Sequence, residues 1–156
     1  MTEQSYTITK ITAPNAGVNA LLARHFSDMR AGSPEESCHV MTADDLRAAG
    51  AQVYALSDSD GQVCAVGAFK AFDDGVELKS MHTAREARGK GYGRLVLERL
   101  MAEARAKGAQ SAWLETGTAD SFAPARALYK KAGFETCPPF GEYTTDPLST
   151  FMTRRL

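Results

Sequence analysis

The chain has 156 residues and a formal net charge of −1 at pH 7, with acidic and basic side chains mixed along its length. This length is sufficient to bury a core without disulfide bonds, so we expect one domain over residues 1–156. The balanced charge and the lack of a polybasic run argue against a nucleic-acid partner. No apolar run approaches the roughly 20 residues of a membrane span, and no signal-peptide pattern is present, so we expect a cytoplasmic protein without a membrane partner.

The chain has three cysteines, Cys38, Cys64 and Cys137, without CxxC spacing. An odd count without paired spacing predicts neither a zinc site nor a disulfide framework, and we expect no bound metal. Cys64 lies among apolar strand residues, which predicts a buried, protonated thiol. A covalent mechanism through cysteine is therefore not favoured.

The first half of the chain predicts an antiparallel meander with two helices. Strands are expected at 6–11, 53–56, 63–69 and 76–83, where β-branched or apolar residues dominate. Turns rich in Asp, Ser and Gly at 58–61 and 73–75 join the last three. Helical spacing from Val18 to Phe26 predicts the first helix, closed by residues 32–34 and followed by a loop at 35–41. Thr42 and Asp45 form a capping-box pattern for a short second helix that ends near Gly50.

The second half predicts a strand–helix–strand unit. The strongest helix covers 94–107, with Gly108 as its stop, and a strand follows at 111–116. This order implies a parallel strand pair with a right-handed crossover. A further helix at 124–132 ends at Gly133, and final strands are expected at 134–137 and 150–154. The tail ends in a strand, and an exposed sheet edge at this strand would allow a homodimer.

A glycine-rich segment lies between the fourth predicted strand and the long helix. It reads Arg88-Gly89-Lys90-Gly91-Tyr92-Gly93, followed by Arg94. The first N–H groups of a helix have no partner within it, and glycines let a ligand approach them closely. The helix dipole and three basic side chains favour an anion, so the segment predicts a phosphate or pyrophosphate site.

Simpler and competing interpretations of this segment exist. Alternating glycines can serve only to make a tight strand-to-helix turn. A P-loop would require Lys and Ser or Thr after Gly91, where Tyr92 stands, and a dinucleotide fingerprint would require glycine at Arg94. Nucleic-acid binding through Arg85 and the bases of this segment would need a wider basic face.

The segment resembles the Arg-x-x-Gly-x-Gly motif of the GNAT superfamily of acyl-CoA N-acyltransferases, together with the preceding strand end Met81-His82-Thr83. A second match is Ala125-Arg126-Ala127-Leu128-Tyr129-Lys130-Lys131-Ala132-Gly133-Phe134, similar to the family's Ala-x-x-Leu-Tyr-x-x-x-Gly-Phe segment. The resemblance covers at least residues 76–134. It implies a single-domain mixed α/β fold of the α+β class, in which helices flank a mixed, mostly antiparallel sheet around a strand–helix–strand CoA-binding core.

The resemblance also assigns a cosubstrate, acetyl-CoA. It implies that backbone groups at Met81, His82 and Thr83 contact the thioester arm, with the Met81 amide as the oxyanion donor. The pyrophosphate would lie on the segment from Arg88 to Arg94, which comprises Arg88, Gly89, Lys90, Gly91, Tyr92, Gly93 and Arg94. One departure from the family is Phe122, which stands where asparagine is frequent and so removes a side-chain amide contact to the pantetheine arm.

Two side chains receive catalytic roles from the resemblance. Glu77 corresponds to a glutamate that acts as general base, directly or through water, and Tyr129 to a tyrosine that protonates the departing thiolate. The alternatives are an exposed strand glutamate paired with Lys79 and a tyrosine that only packs in its helix stripe. His82 and His39 are reserve bases.

The sequence therefore predicts an N-acetyltransferase that acts on a primary amine of a small molecule, amino acid or peptide by direct attack in a ternary complex. The alternative is a non-catalytic acyl-CoA-binding sensor or interaction module. Segments 36–39 and 139–152 resemble a bacterial subgroup whose acceptor the sequence does not identify. Candidate acceptor-pocket residues are Arg24, Arg30, His39, Glu142 and Tyr143.

Overall fold

The structure is a computed structural model that describes residues 5–31 and 42–156. The strands of these ranges are β1 (Tyr6–Lys10), β2 (Gln52–Asp58), β3 (Val63–Phe72), β4 (Gly75–Thr83), β5 (Ser111–Gly117), β6 (Glu135–Cys137) and β7 (Ser149–Arg155). The helices are α1 (Ala16–Ala31), α2 (Ala43–Ala48), α3 (Tyr92–Ala106) and α4 (Ala123–Lys131). Short 3₁₀ turns at Arg85–Ala87 and Asp120–Phe122 precede α3 and α4.

The strands form one sheet in the order β1-β2-β3-β4-β5-β7-β6. All neighbours are antiparallel except β4 and β5, which are parallel and joined through α3. This arrangement confirms the predicted mixed, mostly antiparallel sheet with its strand–helix–strand unit. The expected edge position of the tail strand is wrong, because β7 lies between β5 and β6 and the edges are β1 and β6.

Local signals set several of the helix boundaries. The hydroxyl of Thr42 accepts from the Asp45 N–H at 3.2 Å, and the Asp45 carboxylate accepts from the Thr42 N–H at 2.9 Å, so the predicted capping box is confirmed. Gly108 and Gly133 follow α3 and α4 with φ of +90° and +94°, as predicted for helix stops. Helix α1 ends at Ala31, so the predicted closure at 32–34 and the loop at 35–41 lie outside the described residues.

The two faces of the sheet are covered differently. Gly67 of β3 faces α3, since a Cβ placed on it would lie 3.0 Å from Cγ1 of Val96. Strand register puts Glu77 of β4 on the opposite face, level with Lys70 of β3 and Trp113 of β5. We call this opposite face the Glu77 face. Helix α1 packs against β3 and β4 and contacts this face through His25, whose ring touches that of His82, the register partner of Val66.

Strands β4 and β5 are joined over a short length only. Their register pairs are Val76 with Ala112 and Glu77 with Trp113, although β4 continues to Thr83. A Cβ on Gly75 would overlap the carbonyl oxygen of Ser111, so the backbones of β4 and β5 are in close contact at this end. Beyond Glu77 no register pair joins the two strands, and we call this unpaired stretch of the sheet the gap.

Strand β4 is also irregular beside the gap. Its register against β3 shifts between Val66 and Ala68, so that Ser80 and Met81 together stand opposite Gly67. Ser80 has a φ of +57°, in the left-handed region that side chains rarely adopt. Such a bulge leaves one residue outside the hydrogen-bond ladder and redirects the residues that follow.

Within the described ranges, none of the helices has the length and apolar character required to cross a bilayer.

Candidate active site

The glycine-rich segment, residues 88–94, forms an exposed turn that leads into α3, and we call it the glycine turn. Gly89 and Gly91 have φ of +84° and +80°, and Gly91 is the N-cap of α3 without a side-chain cap. Helix α3 begins at Tyr92, two residues before the predicted start. The glycines are thus required by backbone conformation, because other residues are strained at this φ.

The amide groups of the glycine turn are available to a ligand. Within residues 5–31 and 42–156, no protein acceptor takes the N–H groups of residues 89–94. These amides stand at the positive end of the α3 dipole, next to exposed basic side chains of Lys90 and Arg94. Arg94 also contacts Glu98 at 3.1 Å on the surface. The arrangement is of the kind that binds phosphate groups, and the pyrophosphate site stays a prediction.

Three elements meet where α3 begins. A Cβ on Gly93 would lie 3.1 Å from Oγ1 of Thr83 in β4 and 3.5 Å from Cδ2 of Leu128 in α4. The end of β4, the opening of α3 and the middle of α4 are therefore in contact. This contact brings together the two sequence motifs, which are far apart in the chain.

Arg126, a residue of the second sequence motif, connects helix α4 to the end of β5 by hydrogen bonds. Arg126 donates to the carbonyl oxygens of Gly117 at 2.7 Å and Ala119 at 3.0 Å. A Cβ on Gly117 would overlap the ring of Phe122, so this ring packs directly on the end of β5. Phe122 thus fills space by packing at the position where the family frequently has asparagine.

Tyr129 lies in α4, one residue after Leu128, and is 6% exposed. Its ring makes an edge contact with Phe134 at 5.9 Å between centroids. Burial raises the pKa of its phenol, so the hydroxyl stays protonated near neutral pH and can donate a proton. Among the residues that the structure describes, its hydroxyl has no hydrogen-bond partner.

Glu77 has two polar neighbours on its face of the sheet. The Tyr143 hydroxyl donates to Oε2 of Glu77 at 2.7 Å, and Nζ of Lys79 lies 3.5 Å from the same oxygen. The Glu77 side chain is only 13% exposed. The Lys79 pairing that the sequence suggested is therefore present, but the glutamate is largely buried and held by a third residue.

Tyr143 comes from the segment between β6 and β7 and was one of several candidate acceptor-pocket residues. Burial, followed by the hydrogen bond and the charge of Glu77, raises its pKa, so that it remains a hydrogen-bond donor. The pairing of Tyr143 with Glu77 was not predicted. The residues are 66 positions apart, and no local pattern connects them.

The other candidate residues have different surroundings. His82 contacts the ring of His25 in α1 at 5.2 Å between centroids. Arg24 pairs with Glu86 at 3.0 Å on the surface. His39 and the side chain of Arg30 lie outside the described residues.

The cysteines that the structure describes are poor nucleophiles. Cys64 is 6% exposed and donates weakly to Asp58, and burial followed by the Asp58 charge raises the pKa of its thiol. Burial also raises the pKa of the half-buried Cys137, and Cys38 lies outside the described residues. In the described ranges no group of three His, Cys, Asp or Glu side chains could hold a metal ion.

Sequence comparison places these features in a known family. The profile of the acetyltransferase (GNAT) family matches residues 18–134. The chain is 37% identical to the uncharacterized N-acetyltransferase YsnE of Bacillus subtilis (strain 168), over 89% of this chain and 92% of YsnE. It is 35% identical to the uncharacterized N-acetyltransferase YedL of Escherichia coli (strain K12), over 97% and 95% of the two chains.

Solved structures agree with this result. A proposed acyl-CoA N-acyltransferase from Klebsiella pneumoniae superimposes with a TM-score of 0.79 at 28% identity, over 97% of both chains. An acetyltransferase of Bacillus subtilis, solved in complex with CoA, has a TM-score of 0.71 at 15% identity over 97% and 99% of the chains, and shares the fold. The chain belongs to the acetyltransferase (GNAT) family. It is an acyl-CoA-dependent acetyltransferase.

Proposed function

We propose that the protein transfers the acetyl group of acetyl-CoA to a primary amine of a small molecule, amino acid or peptide, by direct attack in a ternary complex. The observation that carries this proposal is the gap between β4 and β5. It opens at Glu77 and runs along the part of β4 that ends beside the glycine turn. An acyl-CoA arm in this gap and an amine on the Glu77 face would meet inside the sheet.

The cosubstrate side of the proposed site uses mainly backbone groups. The amides of the glycine turn would bind the pyrophosphate, with Arg88, Lys90 and Arg94 adding positive charge. The backbone of Met81, His82 and Thr83 would contact the pantetheine arm and the thioester. The bulge at Ser80 supports the role of the Met81 amide as oxyanion donor, because it frees a peptide group from the ladder.

The acceptor side uses Glu77 as the general base. Met81 lies four positions after Glu77, but the bulge places the two residues opposite β3 positions only three apart, Lys70 and Gly67; at about 3.3 Å per strand residue their Cα atoms are about 10 Å apart. A glutamate side chain does not span this distance, so we infer that a water molecule carries the proton from the amine to Glu77. Its oxygen Oε1 has no hydrogen-bond partner among the described residues, and can receive this proton.

The reaction balances with these groups. The amine nitrogen bonds to the thioester carbon, the Met81 amide donates to the resulting oxyanion, and the C–S bond then breaks. The nitrogen loses its proton through water to Glu77, which then releases it to solvent, while the Tyr129 hydroxyl protonates the departing thiolate and regains a proton from solvent. The buried thiol of Cys64 supports the absence of an acyl-cysteine intermediate.

A thermal-shift and thiol-release experiment tests the proposal. Acetyl-CoA at about 100 times its Kd stabilises the native state by about 2.7 kcal/mol, which raises Tm by about 5–10 °C for a chain of this size. Thiol release should require an amine and should fall about 10²- to 10⁴-fold in Glu77→Gln, with the same Tm shift. No Tm shift would refute the cosubstrate site. A Tm shift without amine-dependent thiol release would indicate the acyl-CoA-binding sensor instead.

A further inference from the structure

Five aromatic rings form a contiguous group beside Glu77, and we call it the aromatic cluster. Its members are Phe72, Trp113, Phe140, Tyr143 and Phe151. Phe140 is the centre, with ring centroids 5.0–6.3 Å apart across the contacts of the group. These are the separations of mutually packed aromatic side chains.

The cluster lies on the same face of the sheet as the proposed base. Trp113 is the register partner of Glu77, so the two side chains stand next to each other on neighbouring strands. Tyr143 belongs to both groups, because its ring packs against Phe140 and its hydroxyl donates to Glu77. The aromatic surface therefore begins directly at the carboxylate.

The rings of the aromatic cluster are not all buried. Phe151 is buried at 5% exposure, but Phe72, Trp113, Phe140 and Tyr143 are only half-buried. A satellite core that only secured the segment between β6 and β7 would be expected to cover its rings. Half-covered aromatic rings next to a charged group are characteristic of ligand sites.

We propose that the amine acceptor carries a flat aromatic ring, which packs against the aromatic cluster while its amino group is directed to Glu77. This inference rests on the proposed acetyl transfer and specifies its acceptor class. An ammonium group is attracted to the faces of the neighbouring rings and to Oε1 of Glu77, the oxygen that Lys79 and Tyr143 do not contact. The ring supplies apolar area that a short aliphatic amine lacks.

Trp113 is the only tryptophan of the chain, so its fluorescence reports on this cluster alone. Ligand binding can therefore be measured without turnover. The fluorescence of Trp113, excited selectively, is titrated in the full-length protein with 2-phenylethylamine, 2-cyclohexylethylamine and butylamine. We expect 2-phenylethylamine to bind at least about tenfold more tightly than butylamine, with the cyclohexyl compound between them. Equal affinity for 2-phenylethylamine and butylamine would overturn the inference.

Substitutions locate the bound ring. Phe140→Leu and Phe72→Leu keep an apolar side chain and remove an aromatic face. Each should raise the Kd of 2-phenylethylamine about tenfold while that of butylamine stays unchanged. Tyr6→Leu is the matched control, because Tyr6 is 43% exposed on the edge strand β1. Unchanged affinity in both phenylalanine variants would show that the cluster only packs.

The outcomes separate the two proposals. Preferential binding of the aromatic amine without acetylation of any amine would refute the transfer and retain the aromatic site. Efficient acetylation of butylamine without preference for 2-phenylethylamine would refute the aromatic acceptor and retain the transfer.

Discussion

The glycine turn presents main-chain amides from consecutive residues, whereas the Glu77 face presents side chains that the fold gathers from distant positions, such as Glu77 and Tyr143, which are 66 apart. A pyrophosphate has the same shape in every acyl-CoA, so a backbone cradle at a helix N-terminus is sufficient for it. An acceptor is distinguished by its particular groups, which requires side chains from several elements. Substitutions in the two regions should therefore separate cosubstrate binding from chemistry and acceptor choice.

After Glu77→Gln, the largest expected effect is again on chemistry alone. Tyr129→Phe removes the proposed proton donor and should lower kcat about 10²-fold, while the Kd of acetyl-CoA stays within about twofold. Thiol-release kinetics and calorimetric titration measure the two quantities. The control is Tyr54→Phe, which removes the hydroxyl of another buried tyrosine in β2 and should leave kcat unchanged. Parallel loss of kcat and affinity in Tyr129→Phe would assign the ring to packing.

An intermediate effect is expected on cosubstrate binding. Gly91→Ala and Gly108→Ala each add a methyl group at a left-handed position with open space around it, so both should destabilise the protein by about 1–2 kcal/mol. Gly91 is at the start of α3 and Gly108 just beyond its end. Only Gly91→Ala should weaken acetyl-CoA binding, by about tenfold in calorimetric titration. The same affinity in both variants would mean that the turn amides do not hold the cosubstrate.

The smallest expected effect concerns the position of the base. The Tyr143 hydroxyl donates to Oε2 of Glu77 and so holds that carboxylate in place. Tyr143→Phe removes this donor and keeps the ring, and we expect kcat to fall about threefold while the Kd of acetyl-CoA stays unchanged. Thiol-release kinetics and calorimetric titration measure the two quantities. An unchanged kcat would show that Tyr143 does not position the base.

The sequence predicts those features whose causes are local. The capping box at Thr42 and the glycine stops after α3 and α4 depend on a few neighbouring residues, and the structure confirms them. The glycine turn depends on a helix start and on nearby bases. Its position next to α4 followed from the family resemblance.

The remaining features arise from contacts that no short pattern encodes. The bulge of β4 is at Ser80, and no glycine marks its left-handed φ. The gap depends on how far β4 and β5 stay paired, which is set by packing across the sheet. Tyr143 was among the candidate pocket residues, but its hydrogen bond to Glu77 required knowing how the segment after β6 folds back.

The contact between Gly75 and Ser111 has a consequence for the shape of the whole enzyme. The sheet consists of a four-stranded half (β1 to β4) and a three-stranded half (β5 to β7). The register pairs between β4 and β5 join the two halves at this one end. A side chain at position 75 would overlap the Ser111 carbonyl and act as a wedge between the halves. The width of the gap therefore depends on Gly75, which lies two positions before Glu77 in β4 and takes no part in the chemistry.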